Sequence, residues 1–382
     1  MKKIVFLMLL LCFTIPTYAQ NIDFSIHENY ISTRAKGMGG AFSAVADDYN
    51  SMFYNPAALA RLEEGNLHMF VRAAIDTNYF ELADDIDKAN NESDEETAIA
   101  NVLSENYGNN YYSRLPTIGA IWVRPNWGIA IIPADLTVDL ALHQQIGPSI
   151  AVNAYLDTTL AYGYARNVKW GQKGKLSVGA TLKVINRVQA SEAVGIAQLS
   201  GDNEFFDQDS ANEGLFADFD LGFLYTPEIS KKSFFSFLKY SRPTFAFVTR
   251  NLIDSGPITN LNLINEESKD AYKLQRRIDF GSKWQLPKFW VFDPKFAWDI
   301  RNILHENWSF EKGNHVGFEL GWKMYSWWRG YWSAGLHQWA FDFGDLENWT
   351  FGFGAEIGWF QIDLSTWQEN VGTEAIDIRG RR

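Results

Sequence analysis

The chain has 382 residues, with 34 Lys and Arg against 46 Asp and Glu, a formal net charge of −12. That balance argues against nucleic acid as a partner, because phosphate binding needs a basic surface. Aromatic residues make up 15% of the chain, yet its mean hydropathy is −0.22, so apolar side chains must be interleaved with polar ones.

Lys2 and Lys3 precede a nearly unbroken apolar run from Ile4 to Ile15, and Thr17-Tyr18-Ala19 offers small residues where a signal peptidase reads. Residues 1–19 are expected to be an export signal, with the mature chain starting at Gln20. The run is too short for a permanent membrane helix, which needs about 20 residues. Cys12 is the sole cysteine and lies in the removed segment, so neither disulfide nor thiolate chemistry is expected afterwards. Losing Lys2 and Lys3 from the 34 basic residues leaves 32 against 46 acidic ones, a net charge of −14.

Residues 20–60 form the next unit, and its centre, Arg34 to Leu59, reads RAKGMGGAFSAVADDYNSMFYNPAAL. Gly37, Gly39 and Gly40 remove side chains where the backbone must approach another surface or take positive φ. Asp47-Asp48 and Asn55-Pro56 are turn formers, and Asn55 can cap a short helix opened by Pro56 and Ala57. So Gly-rich a stretch makes a poor lipid-facing strand and fits better as a plug inside a lumen, where its backbone finds polar partners.

Residues 61–382 break into strand-like segments separated by turn chemistry. Candidates run near 66–75, 114–123, 127–142, 149–166, 175–188, 215–226, 243–253, 274–286, 290–301, 316–324, 331–343, 348–358, 360–367 and, weakly, 372–380. Several alternate cleanly. Trp290, Phe292, Phe296, Trp298 and Ile300 oppose Lys295, Asp299 and Arg301, and Phe318, Leu320, Trp322 and Met324 oppose His315, Glu319 and Lys323. A slip of one residue would put charges into lipid, at about 2–4 kcal/mol for each Arg or Lys near the midplane. The pattern predicts an all-β fold, a transmembrane antiparallel up-and-down barrel of about 14 strands in the bacterial outer membrane. Its surroundings would be outer-membrane lipid, reached through the barrel-assembly machinery. The longest connection, 76–110, is strongly acidic and reads as a solvated helix or loop.

No nucleophile elbow, zincin helix, phosphate loop or dinucleotide fingerprint occurs in its required context, so the chain is not expected to be an enzyme. Its six histidines form no short metal-binding pair, and neither metal nor cofactor is expected. Inward-facing charges of both signs predict a lumen network of Arg72, Asp157, Lys183, Arg187, Asp279, Lys283, Asp299, Arg301, Glu319, Lys323, Glu356 and Asp363. Phe42, Met52, Phe53, Tyr54 and Phe70 are the candidate contacts for a hydrophobic ligand, and packing between plug and wall explains them equally well.

Three features occur in a fixed order: Gly37-Met38-Gly39-Gly40-Ala41, Ala46-Asp47-Asp48 and Asn55-Pro56-Ala57. Together they resemble the N-terminal signature of FadL-like outer-membrane barrels, especially the PorV/PorQ-type branch. Weaker echoes follow at Thr249-Arg250-Asn251-Leu252 and Asp299-Ile300-Arg301-Asn302, whereas the last segment lacks the aromatic terminal residue common in barrel insertion signals. The resemblance implies fourteen strands around an N-terminal plug. It leaves three roles open: passive transport of hydrophobic small molecules, a secretion accessory that binds cargo or partner proteins, and a structural barrel without transport.

Overall fold

The computed structural model describes residues 26–144, 148–169, 174–195, 211–229, 238, 240–264, 269–306, 308–339, 348–368 and 374–381. The expected export signal lies outside them. Among the described residues, fifteen strands follow in chain order: β1 Asn66–Asp76, β2 Asn110–Arg124, β3 Trp127–Gln144, β4 Pro148–Val168, β5 Gly174–Gly195, β6 Asn212–Pro227, β7 Thr244–Arg250, β8 Lys269–Asp270, β9 Arg277–Gln285, β10 Phe292–Ile303, β11 Asn314–Tyr325, β12 Trp328–Leu336, β13 Trp349–Ile357, β14 Phe360–Gln368 and β15 Glu374–Arg381.

Fourteen of them pair antiparallel in a single sheet, and the two-residue β8 adds a short parallel contact to β6. Sequence neighbours pair throughout, with β7 joined to β9, β15 to β1 and β5 to β6. Each of the fourteen therefore has a partner on both sides, and the ladder returns to its start. Each of these strands thereby meets a neighbour on both sides along at least part of its length, which is how a sheet limits open edges.

Side-chain polarity is inverted relative to a water-soluble core. Along β10, Lys295, Asp299 and Arg301 are buried, while Phe296 and Trp298 stay exposed, Trp298 at 40%. Along β4, Asp157 and Thr159 are buried whereas Leu160 (52%), Tyr162 and Tyr164 are not. Period-two alternation puts the two sets on opposite faces. The exposed apolar face continues through Leu67, Met69 and Val71 of β1, Ile129 and Ile131 of β3, Leu182 of β5, Phe318 of β11 and Phe351 of β13.

Several sequence expectations are corrected. Trp290 is not in a strand: it sits in the turn before β10 with φ +51° and is 85% exposed. Trp322 is buried on the apolar face, because its ring lies over Gly330 of β12 and packs against Trp328 and Trp332. Lys323 is exposed and takes no place in the buried network, since β11 ends two residues later. Glu356 is likewise near a turn, where it pairs with Arg329 at 2.9 Å. The strand expected at 243–253 is shorter, ending at Arg250 before Asn251 turns to φ +51°. The strand expected at 331–343 begins earlier, at Trp328, and ends at Leu336.

Residues 26–62 pack against the inner face of the sheet. They contain the helix Thr33–Gly37, capped by Ser32, the helical turn Ser51–Tyr54, and a 3₁₀ helix Pro56–Arg61. Their apolar side chains (Met38, Phe42, Met52, Phe53, Tyr54 and Leu59 among them) form one buried cluster with Phe70, Ile121, Val123 and Ala161 of the wall. The acidic connection between β1 and β2 folds as two helices, Asn78–Asn90 and Glu95–Glu105.

Candidate functional site

The site has two parts: the fastening of the N-terminal segment and a break in the wall beside it.

Fastening begins with Gly37, Gly39 and Gly40. A Cβ on Gly37 would lie 2.6 Å from the Cα of Gly352 on β13. Gly39 and Gly40 have φ +64° and +84°, where a side chain is strained, and a Cβ on Gly39 would meet the carbonyl oxygens of Val316 and Leu336 at 2.6 Å. The loop is held by hydrogen bonds across to the strands. Gly39 N–H donates to Thr350 Oγ1 at 2.9 Å, and Phe42 and Ser43 N–H both donate to Asp299 Oδ2, at 2.9 and 2.7 Å.

Arg34 is the centre of the ionic attachment. Its guanidinium forks onto Glu319 at 2.6 and 2.7 Å, and its remaining nitrogen reaches Asp47 and Asp48 at 2.8 and 2.7 Å. Lys295 bridges the same Asp47 and Glu319 at 2.8 and 3.0 Å, while Lys283 stands half-buried on β9. Charge-assisted, bidentate pairs of this kind fix orientation as well as energy. Asp363 belongs to the adjoining wall and accepts from Tyr331 Oη at 2.9 Å. The Tyr331 ring in turn lies beneath the Arg34 guanidinium, 5.4 Å from its centroid.

Asn55 closes the other end. Its Oδ1 accepts from Ala57 N–H at 3.1 Å and its Nδ2 donates to the carbonyls of Ser43 and Phe223 at 2.9 and 3.2 Å. Pro56, at the first helical position, spends no N–H there. Arg61 then ties the 3₁₀ helix to β5 and β6 through Ser177 Oγ (3.0 Å), Thr226 Oγ1 (2.8 Å) and Leu224 O (2.9 Å). Burial lowers the Arg61 pKa to about 10.

At the start of the segment, Glu28 pairs with Arg301 at 2.8 and 2.9 Å. Burial would raise its pKa, but Arg301, then Arg277 and Arg250, overcome this and hold it at about 2. Arg250 donates to Asp279 at 2.8 Å and to the carbonyls of Phe53 and Tyr54. His27 and Asn29 reach Asp157 at 2.9 and 3.0 Å, joining the Arg187–Asp157 pair. Lys183 pairs with Asp220 at 2.7 Å.

The expected network thus divides into several ion clusters, of which Arg72, Asp157, Asp299, Arg301 and Glu319 touch the N-terminal segment directly, while Arg187 and Asp279 reach it only through Asp157, Arg250 and Arg301. The two echo motifs each supply an arginine to it, Arg250 and Arg301, followed by an asparagine at positive φ, Asn251 and Asn302. Sequence reading missed Glu28, His27, Asn29, Arg61, Arg114 and Asp135.

Asp135 marks the break. Ladder pairs between β2 and β3 run up to Arg114↔Thr137 and resume at Ala120↔Ile131, leaving 115–119 and 132–136 without partners in one another. Both strands keep pairing on their far sides, although β1–β2 shifts register between Arg72 and Ala74 and β3–β4 between Ile132 and Asp135. The cause is local. Leu115-Pro116 and Pro133-Ala134 each put two consecutive residues on the exposed face, and both prolines lack an N–H for the ladder. Five residues span roughly 16 Å of strand.

On the inner face the break is crossed by side chains. Asp135 pairs with buried Arg72, meets Arg114 Nε at 3.1 Å and accepts from Thr117 Oγ1 at 3.1 Å. Arg72 also donates to the Ile31 carbonyl at 2.6 Å, so the wall break and the N-terminal segment share one guanidinium. The Phe70 ring covers Gly119 at the margin of the break. Leu115 and Ile118, the latter 66% exposed, flank it outside. Of the five candidate ligand contacts, only Phe70 lies at this margin; Phe42, Met52, Phe53 and Tyr54 are buried in the segment's own cluster.

Comparison with known proteins gives three findings. The family described as "F plasmid transfer operon, TraF, protein" matches over residues 117–292, a little under half of the chain. None of the curated proteins compared matches. Among solved structures the chain is similar to CymD, a monoaromatic hydrocarbon channel, at 11% identity and TM-score 0.42, over 91% of this chain and 94% of that one. It is similar to the toluene transporter TodX of Pseudomonas putida at 10% identity and TM-score 0.44, over 91% and 95% of the two chains. A FadL homologue of Pseudomonas aeruginosa is similar at 10% identity and TM-score 0.38, again over 91% and 95%.

Proposed function

We propose that the chain is a FadL-like outer-membrane β-barrel with residues 26–62 as its plug, and that it passes small hydrophobic molecules from the lumen sideways into the membrane between β2 and β3. Inverted polarity supports the membrane setting. Buried ion pairs need the interior, and the exposed Leu, Ile, Phe and Trp face needs acyl chains. The observation that carries the transport reading is the unpaired stretch between Arg114↔Thr137 and Ala120↔Ile131. It interrupts the wall level with exposed Leu115 and Ile118, and the plug reaches its inner side through Arg72. An apolar solute leaving there passes Phe70 and never crosses a polar headgroup layer.

Toluene is the first probe to use. Cells lacking their own channel for it should take it up faster when they express this chain, and pinning the break with a disulfide should abolish the gain. Equal uptake with and without the chain would refute transport.

One observation favours the second reading, a PorV-type accessory that holds a partner protein. β4 and β5 run 21 and 22 residues, well beyond the 9–11 that cross a bilayer, and so offer a protein surface outside it. Co-purification of a defined partner that is lost on shortening these strands would support that role over transport.

A further inference from the structure

The two helices between β1 and β2 do not stand free in solvent. Leu82, Ala89, Ile99 and Leu103 are buried against Tyr111 of β2, Leu142 of β3, Ile150 and Val152 of β4 and Val194 of β5. Those five strand residues lie on the outer face. In β4 the inner face carries Asp157, Thr159 and Ala161, so Ile150 and Val152 alternate to the outside, and the register aligns them with Leu142, Leu140 and Val194. Tyr111 pairs with Leu140 and shares that face. The helices are therefore folded down over the outside of the wall.

Their position relative to the break is specific. Leu140 and Leu142 begin three residues past Thr137, the last paired residue before the ladder fails. A single apolar face thus spans β2, β3, β4 and β5 just beyond the seam where β2 and β3 have lost their bonds. We propose that this helical pair is an external clasp that holds the β2–β3 seam shut, and that its release widens the lateral exit. The inference rests on the transport reading above and adds its regulation.

The arrangement has two fastenings on opposite faces. Inside, Asp135 links Arg72 on β1, Arg114 and Thr117 on β2. Outside, the helices add apolar contact across β2, β3, β4 and β5 directly beside the stretch where the ladder bonds are missing. The outer fastening is the one a ligand or partner reaches from solvent, because Glu81, Asp84, Asp87, Glu95 and Glu96 face outward while Ile99 and Leu103 are wholly buried. An apolar solute inserting beneath the helices would compete for the same strand residues.

The test uses the full-length chain and toluene uptake. Ile99→Asp and Leu103→Asp, each placing a charge in the buried helical face, should raise the uptake rate several-fold while the heat-modifiable mobility of a folded barrel is retained. A cysteine pair, Ser113→Cys with Val138→Cys, joins directly opposed residues beside the seam. Its oxidation should cancel the gain, and reduction should restore it. The pair in an otherwise unchanged chain should by itself slow uptake, a readout that stands even where the aspartate variants fail to fold. Folded aspartate variants that transport at the unaltered rate would overturn the clasp. Absence of uptake by the unaltered chain and the variants alike would overturn the transport reading instead.

Discussion

Gly37 and Gly352 touch backbone to backbone: a Cβ on the first would stand 2.6 Å from the Cα of the second. The N-terminal segment is therefore seated by the absence of side chains as much as by its ion pairs. Real Cβ atoms do not approach a backbone so closely, so any larger residue must push helix Thr33–Gly37 off β13.

Gly37→Val, or Val at Gly39 and Gly40, should unseat the segment while leaving the sheet paired. The expected outcome is faster proteolysis within residues 26–62 and a higher leak of small polar solutes through the purified protein in vesicles. Unchanged protease sensitivity and unchanged leak would show that the segment does not block the interior.

Arg34→Ala removes the shared partner of Glu319, Asp47 and Asp48. Glu319 is 1% exposed and would remain beside Lys295 alone. Breaking a buried pair from one side typically costs about 3–5 kcal/mol. Urea unfolding should register a loss of that size, and Glu319→Gln should cost less because it leaves no buried anion.

Acid should release the start of the segment. The Glu28 pKa is depressed to about 2, so the stability it contributes is present above the ordinary value of 4.5 and is lost as pH falls through about 2. Protease sensitivity around residues 26–32 should rise between pH 4 and pH 2 (roughly, from these two values). The Glu28→Gln chain should lack that acid step.

Phe296→Arg separates a membrane protein from a soluble one. Phe296 is exposed, and in water such a change usually stays within about ±0.5 kcal/mol. Facing acyl chains near the midplane it should cost about 2–4 kcal/mol. Folding into lipid vesicles, compared with the unaltered chain, distinguishes the two.

Much of the sheet was legible because alternation is a local signal. Lys295, Asp299 and Arg301 fell opposite Phe296 and Trp298 in sequence and do so in space. What failed was what alternation cannot encode. Bulges at Pro116 and Pro133 shift the period, so Asp135 and Arg114 gave no clean inward signal although both prolines were visible in the sequence. Trp322 follows the outward pattern, but cover from the rings of neighbouring strands depends on register, which one strand's sequence does not reveal. Lys323 obeyed the pattern and lost its partners only because the strand ends at Tyr325. Glu28 carried no motif at all, and its three arginines come from β7, β9 and β10.

The strands are far from equal in length, with 22 residues in β5 and nine in each of β12, β13 and β14. At about 3.3 Å per residue the difference is roughly 40 Å along the strand, or about 30 Å of height at a tilt near 45°. The rim is accordingly a slope with a high back and a low front. In the proposed membrane setting, a solute reaching this rim would meet a tall screen on one side and an approach near the lipid surface on the other, which would give the molecule a preferred heading.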